Sequence, residues 1–292
     1  MKILLLGKDG QLGWELHRAL LAFPDLVALG RSDLDLSELD VVRERVRQLA
    51  PNVIINAAGI TDVDRAEGLE AEVFKVNADA PKVLAEEAAR LGSMLIHFST
   101  DYVFNGTKGV PYVESDPPNP LNKYGQAKLQ AEKTIQEVGG HHLVLRTSWV
   151  FSLRRPCFVT RILEQSRSNE VIRVVDDQVG SPTWSRSLAQ AVSSLIVMAR
   201  ALGAEWLQER GGLYHLAGSG SASRFDWAEA ILRDEAGRHN KIARKIRRAK
   251  SDEFPSAASR PKYSALDSDR FQKVFGFQLS NWKSALSLAL DR

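Results

Sequence analysis

Met1-Lys2-Ile3-Leu4-Leu5-Leu6-Gly7-Lys8-Asp9-Gly10-Gln11-Leu12-Gly13 opens the chain, and this stretch decides the fold. An apolar run of strand length enters a Gly-x-x-Gly-x-x-Gly loop, and the next segment, Gln11 to Leu21, sets Leu12, Leu16, Ala19 and Leu20 on one helical face. Glycines let a backbone turn tightly and approach a pyrophosphate, whose charge is met by amides at a helix N-terminus. Such a loop alone is also compatible with an incidental tight turn. A strand before it and a helix after it are the context that marks a dinucleotide site. Gly7, Gly10, Gln11, Leu12 and Gly13 are therefore candidate cofactor contacts. The apolar run stops at Gly7-Lys8-Asp9, short of an export core, so it reads as a strand and not as a signal peptide.

Further strand-length runs follow at Leu26 to Leu29, Asn52 to Asn56, Met94 to Ser99 and Leu143 to Arg146, separated by segments of helical period such as Ser37 to Leu49, where Ser37 is the expected cap. This alternation predicts an α/β fold, a doubly wound Rossmann-type parallel sheet with helices on both faces. After Trp149 the alternation weakens through Pro156, a helical segment from Phe158 to Arg167 and the turn-like Asp176-Asp177-Gln178-Val179-Gly180-Ser181-Pro182, while Ser187 to Leu202 and Leu213 to Leu216 look like a return to the sheet. We expect a cofactor domain over residues 1–150 and about 183–217. A smaller, discontinuous substrate lobe would take about 151–182 and 218–292.

A hydrophobic share of 44% with 26% charged residues excludes disordered and fibrous classes. The single Cys157 cannot pair within the chain, which fits a reducing cytoplasm, and no apolar run approaches the roughly 20 residues of a membrane helix. The six histidines show no His-Glu-x-x-His pattern and there is no Cys-x-x-Cys, so no metal site is expected. The basic stretch Lys241 to Lys250 reads as a solvated helix face in preference to a polyanion contact, and no nucleic acid is expected.

The second strand ends Leu29-Gly30-Arg31-Ser32, where Arg31 and Ser32 can grip a 2′-phosphate; Asp33, twenty positions beyond Gly13, argues the other way. NADPH is the expected cofactor, with NADH tolerated. Asp35 and Leu36 would flank the adenine, and Ala57, Ala58 and Gly59 offer small residues where the cofactor passes, or simply pack a helix on the sheet. The fourth strand ends at Thr100-Asp101-Tyr102-Val103, and twenty-four residues beyond Thr100 stands Tyr124-Gly125-Gln126-Ala127-Lys128. A Tyr and a Lys four apart share a helix face. Carbonyl reduction needs a proton for the nascent alkoxide; Tyr124 can give it, Lys128 can lower the phenol pKa and hold the nicotinamide ribose, and Thr100 can hold the carbonyl oxygen.

With these pieces in hand, the chain resembles the extended short-chain dehydrogenase/reductases and, among them, the dTDP-4-dehydrorhamnose reductase family. The resemblance runs through Gly7 to Gly13 with Trp14-Glu15-Leu16, Asn56 to Gly59 with Thr61 to Glu67, and Ser99 to Phe104. It continues through Pro120 to Gly125, Arg146 to Val150, Asp177 to Thr183 and Arg260-Pro261. It implies reduction of the C4 ketone of dTDP-4-dehydro-L-rhamnose to dTDP-L-rhamnose, with Thr100, Tyr124 and Lys128 catalytic. It also implies a sugar-nucleotide site of Thr100, Asp101, Tyr102, Val103, Trp149, Asp177, Gln178 and Arg260, with Asn77 supporting it from a long helix, in a monomer or homodimer. Phe151-Ser152-Leu153-Arg154-Arg155-Pro156-Cys157 departs from the family pattern. Some relatives bind Mg²⁺ through glutamates at a dimer interface, and Glu15 matches one such position without evident partners. The rival readings are another nucleotide-sugar reductase or epimerase, and a regulatory subunit like the methionine adenosyltransferase partner of this fold.

Overall fold

The structure, a computed structural model, describes residues 1–235, 243 and 245–291. The chain begins β1 (Ile3–Leu6), α1 (Gln11–Ala19), β2 (Leu26–Leu29), α2 (Leu39–Leu49), β3 (Val53–Asn56), α3 (Val63–Gly68) and α4 (Glu70–Phe74). A π-helical turn over Lys75–Asp79 leads into α5 (Ala80–Leu91), β4 (Met94–Thr100), a 3₁₀ turn at Asp101–Val103, α6 (Lys123–Val138) and β5 (His142–Thr147). Then come β6 (Val150–Phe151), α7 (Phe158–Ser168), β7 (Val171–Val175), β8 (Val179–Gly180), β9 (Thr183–Trp184), α8 (Ser185–Leu202), α9 (Ala204–Gln208) and β10 (Gly212–His215). The last elements are β11 (Ala222–Ser223), α10 (Arg224–Asp234), β12 (Lys245–Ala249), α11 (Asp269–Phe275) and α12 (Trp282–Leu290).

Six parallel strands form the central sheet in the order β10-β5-β4-β3-β1-β2, as the alternation predicts. The winding reverses between β1 and β3, which places the ligand crevice at their carboxyl ends. Alternation along β1 sends Ile3 and Leu5 to one core with α1 and α8, and Leu4 and Leu6 to the other with α2 and α5. All four side chains are at most 1% exposed, each burial contributing about 1.5–3 kcal/mol, so β1 is fixed before its loop is considered.

A third core, centred on Trp227 with Phe151, Phe225 and Trp282, belongs to the smaller lobe. The 218–292 run expected to build that lobe is shared. Phe271 and Phe275 of α11 pack edge-on to Tyr214 of β10 and join the core of the sheet, whereas Leu286 and Ala289 of α12 join the third core.

Two local expectations are corrected. Ser37 does not cap α2; its N–H donates to Asp35 Oδ1 at 2.9 Å, and the helix starts after Glu38 with no side-chain cap. Asn77 does lie on a long helical run, in the π turn that joins α4 to α5. The basic stretch is not a helix where it is described: Lys245–Ala249 pairs in parallel with Val171–Val175, its cations answered by Asp176, 2.9 Å from Lys250. Lys241, Ile242 and Arg244 lie outside the described residues.

Candidate active site

At the carboxyl ends of β1 and β3 a cleft of about 320 Å³ is lined by Gly7, Gly10, Arg31, Asp35, Leu36, Ala57, Ala58 and Gly59. Gly7 has φ +86°, and a Cβ there would stand 2.7 Å from the Ala58 nitrogen, so only glycine lets the two loops meet. The first turn of α1 carries no acidic residue and its N-terminus has no side-chain cap, leaving its amides for an anion. These features fit a dinucleotide. Gln11, Leu12, Gly13 and Ser32 are not among the lining residues. Leu12 is a core residue, and Gly13 is pressed against Gly7, where a Cβ would lie 1.9 Å from the carbonyl oxygen. Gln11 keeps a buried Oε1 without a hydrogen-bond partner, and Ser32 is exposed beyond the rim.

Asp33 is already engaged, accepting from Lys8 Nζ at 2.5 Å and from the Gly30 N–H at 2.9 Å, and these bonds hold its carboxyl below the ordinary range. It braces the glycine loop, which removes the sequence argument for an acidic ribose contact. Arg31 pairs with Asp35 and Glu72 at 3.2 and 3.6 Å. A second arginine, Arg155, reaches the same cleft from the 151–157 loop, which Arg154 anchors by stacking 4.2 Å over Trp14. Sequence reasoning missed it because the only signal, an Arg-Arg pair in an irregular loop, says nothing of where the loop folds.

The catalytic candidates converge where β4 ends. Asn122 caps α6, its Oδ1 accepting from the Gly125 N–H at 2.8 Å, and Gly125 lies so near the Tyr102 carbonyl that a Cβ would be 2.2 Å away. This docks the first turn of α6 on the strand end and sets the Tyr124 phenol beside the Thr100 hydroxyl. Burial raises the Tyr124 phenol above 10.0, the neighbouring Thr100 hydroxyl opposing the rise. Burial lowers the Lys128 ammonium to about 8 against the pull of Glu132, one turn on. The nearest polar partner of Lys128 is His97 Nε2, at 3.0 Å, a buried histidine that the sequence reading did not single out. Asn77 ties down the loop after β3, taking the Ile60 N–H and giving to the Ile60 carbonyl, both at 2.8 Å.

The expected sugar contacts fall into two groups. Trp149, with an uncommon φ of +44°, lies against Gly180, stacks 5.6 Å from Trp227 and carries the Arg224 guanidinium 3.5 Å above its ring. Arg224 and Arg260 both bring their charge beside Tyr102, whose ring stands edge-on to Tyr124 at 6.1 Å. Asp101 and Val103 serve the scaffold. Val103 is fully buried in an apolar cluster with Phe104, Tyr112 and Leu266, so its side chain cannot meet a ligand. Asp101 is 2% exposed and accepts from Ser148 Oγ and Ser264 Oγ at 3.0 and 2.5 Å, with burial pushing its carboxyl up to about 6. Asp177 and Gln178 both bond Ser251.

Glu15 does not fit a metal: it is buried, with Arg186 at 3.2 Å and Arg18 at 3.6 Å. Among the described residues no group of three or more His, Cys, Asp or Glu is placed to hold an ion, and no helix is long and apolar enough to cross a membrane.

A doubly wound parallel sheet whose dinucleotide cleft adjoins a Thr–Tyr–Lys cluster defines an extended short-chain dehydrogenase/reductase. The family profile described as the RmlD substrate binding domain matches residues 1–292. The dTDP-4-dehydrorhamnose reductase of Burkholderia thailandensis is 38% identical over 99% of this chain and 98% of its own. The crystal structure of a dTDP-4-dehydrorhamnose reductase from Clostridium acetobutylicum superposes with a TM-score of 0.91 at 32% identity, covering 100% and 99% of the two chains. That of the Bacillus anthracis dTDP-4-dehydrorhamnose reductase, in complex with NADP, gives 0.88 at 30% identity over 99% and 98%. The chain belongs to the dTDP-4-dehydrorhamnose reductase family.

Proposed function

We propose that this chain reduces the C4 ketone of dTDP-4-dehydro-L-rhamnose to the alcohol of dTDP-L-rhamnose, using NADPH and accepting NADH, in the cytoplasm. The carrying observation is the contact of Tyr124 with Thr100 beside the dinucleotide cleft, in a chain that matches its named relatives end to end. Bound NADPH supplies the hydride. Tyr124 donates its phenolic proton to the C4 oxygen, which Thr100 holds, and charged Lys128 stabilises the resulting phenolate. Arg155, and Arg31 on release from Asp35 and Glu72, are the cations of the cleft that meet a 2′-phosphate. Residues 1–150 and about 183–217 serve the cofactor. The remainder, joined by Trp149 from the end of the first stretch, receives the sugar nucleotide beside Arg224 and Arg260.

The test is loss of reduced-nicotinamide absorbance with dTDP-4-dehydro-L-rhamnose in the parent and in Tyr124→Phe. The variant should lose about 10²–10⁴-fold in kcat while binding NADPH unchanged. Folded parent protein that binds NADPH and leaves this substrate untouched would refute the assignment.

A further inference from the structure

His97 and Asn56 are paired neighbours on β4 and β3, each 1% exposed, under the face of α6 that carries Lys128. Asn56 Nδ2 lies 3.2 Å from His97 Nδ1, and Lys128 Nζ lies 3.0 Å from His97 Nε2. The far end of this chain is fixed: Asn56 Oδ1 accepts the Ala58 N–H at 3.1 Å, in the wall of the cofactor cleft. That bond orients the amide, so Nδ2 is what faces the imidazole.

A neutral imidazole has one N–H and one lone pair. Burial and the neighbouring lysine hold His97 well below its ordinary pKa and hence neutral. With Asn56 donating to Nδ1, the ring proton must sit on Nε2, where it points at Lys128 and needs the lone pair of an uncharged amine. An ammonium has only donors. A charged Lys128 therefore requires the proton on Nδ1, and Nδ1–H finds an acceptor only if the Asn56 amide turns and releases Ala58. The two ends of the chain cannot both keep their bonds while Lys128 is charged.

We propose that His97 is a tautomeric switch: its single ring proton changes ends as Lys128 gains or loses charge, and the Asn56 amide turns with it. On deprotonation one proton leaves the pair, and the proton remaining on the imidazole moves from Nδ1 to Nε2. The other groups near Lys128 leave this logic intact. Tyr124 stands one turn back on α6; Glu132, one turn on, is ion-paired with Arg146 of β5 at 2.6 Å; the residue facing His97 from β3 is uncharged Asn56. His97 is thus a positioning residue, acting on turnover through Lys128, and its bearing on turnover rests on the role proposed above for that lysine.

The decisive measurement is the ¹⁵N resonance pair of the His97 ring in the full chain, assigned by its loss in His97→Gln. Spectra near pH 6.5 and near pH 9.5 bracket the value of about 8 at which Lys128 titrates. Nδ1–H at the lower pH and Nε2–H at the higher is expected, with no change in Lys128→Met. One tautomer throughout, or the same change in Lys128→Met, overturns the switch. Asn56→Asp supplies a second readout, because a carboxylate accepts from Ala58 and from Nδ1–H together and so favours charged Lys128. The alkaline limb of kcat/KM should move up by about one pH unit in this variant. A tautomer change without movement of the limb would leave the switch standing and count against the proposed part of Lys128 in turnover.

Discussion

Asp101 follows a catalytic candidate in sequence yet is sealed from solvent by Ser148 and Ser264. Its buried carboxyl titrates at about 6 against 3.8 in an open chain, chiefly because burial disfavours the ion. The folded state therefore holds the proton more tightly. Below 3.8 the group is neutral in both states and contributes nothing; as pH rises from 3.8 towards 6 the unfolded chain ionises first, and stability falls. The difference corresponds to about 3 kcal/mol, present in full above pH 6. Asp101→Asn keeps an acceptor for the serines without the ionisation. In urea unfolding, the stability of the variant relative to the parent should improve on going from pH 4.5 to 7.5 by about 2 kcal/mol, the rest of the difference having developed below pH 4.5. A pH-independent difference would mean the carboxyl is not buried as described. At this scale the sequence is legible where chemistry demands a residue type at a local spacing, as with Tyr124 and Lys128. It is silent where a role depends on partners far along the chain: Ser264 meets Asp101 across 163 positions and His97 meets Lys128 across 31.

The strand, loop and helix over Ile3 to Ala19 show how much of an element local pattern determines. Four buried apolar residues and three glycines specify β1, the turn and α1, and the structure returns them nearly unchanged. What the pattern cannot show is which glycine touches ligand and which only permits packing. A Cβ at Gly10 would stand 3.3 Å from the Gly7 carbonyl oxygen; one at Gly13 would stand 1.9 Å from it. Gly13→Ala must therefore push the helix from the turn, whereas Gly10→Ala needs a shift of a few tenths of an ångström. We expect Gly13→Ala to lose about 1–3 kcal/mol of stability and to weaken NADPH binding at least about tenfold, with Gly10→Ala milder in both. Thermal unfolding and fluorescence titration with NADPH check the ranking, and its reversal would place the tight contact at the wrong glycine. The Lys245–Ala249 strand was illegible for a different reason. Its side chains are mostly charged, so no period-2 apolar signal survives, and its state is set by pairing with Val171–Val175.

At the scale of the molecule, the sheet and the smaller lobe are joined by polar bonds across the site's edge. Asp64, in the first turn of α3, accepts from Arg260 Nη2 at 2.5 Å and from the Ala258 N–H at 3.1 Å, while Asn122, the cap of α6, donates to the Ser259 carbonyl at 2.8 Å. Arg260 also lies beside Tyr102, next to the reacting centre. The latch therefore connects α3, which follows the loop lining the cofactor cleft, to the arginine expected to meet the sugar nucleotide, through partners 196 positions apart. If Asp64 acts by aiming Arg260, removing either partner should cost the same interaction. Asp64→Ala and Arg260→Ala should each lower kcat/KM for the sugar nucleotide by about 10–100-fold, mainly through KM, with the NADPH Kd within about twofold of the parent. Their combination should then cost less than the sum of the two, a coupling of about 0.5–3 kcal/mol in a double-mutant cycle. Strict additivity would mean that Arg260 finds its position without Asp64. A matching loss of NADPH affinity would mean that the latch holds the cofactor floor, with the arginine only a bystander.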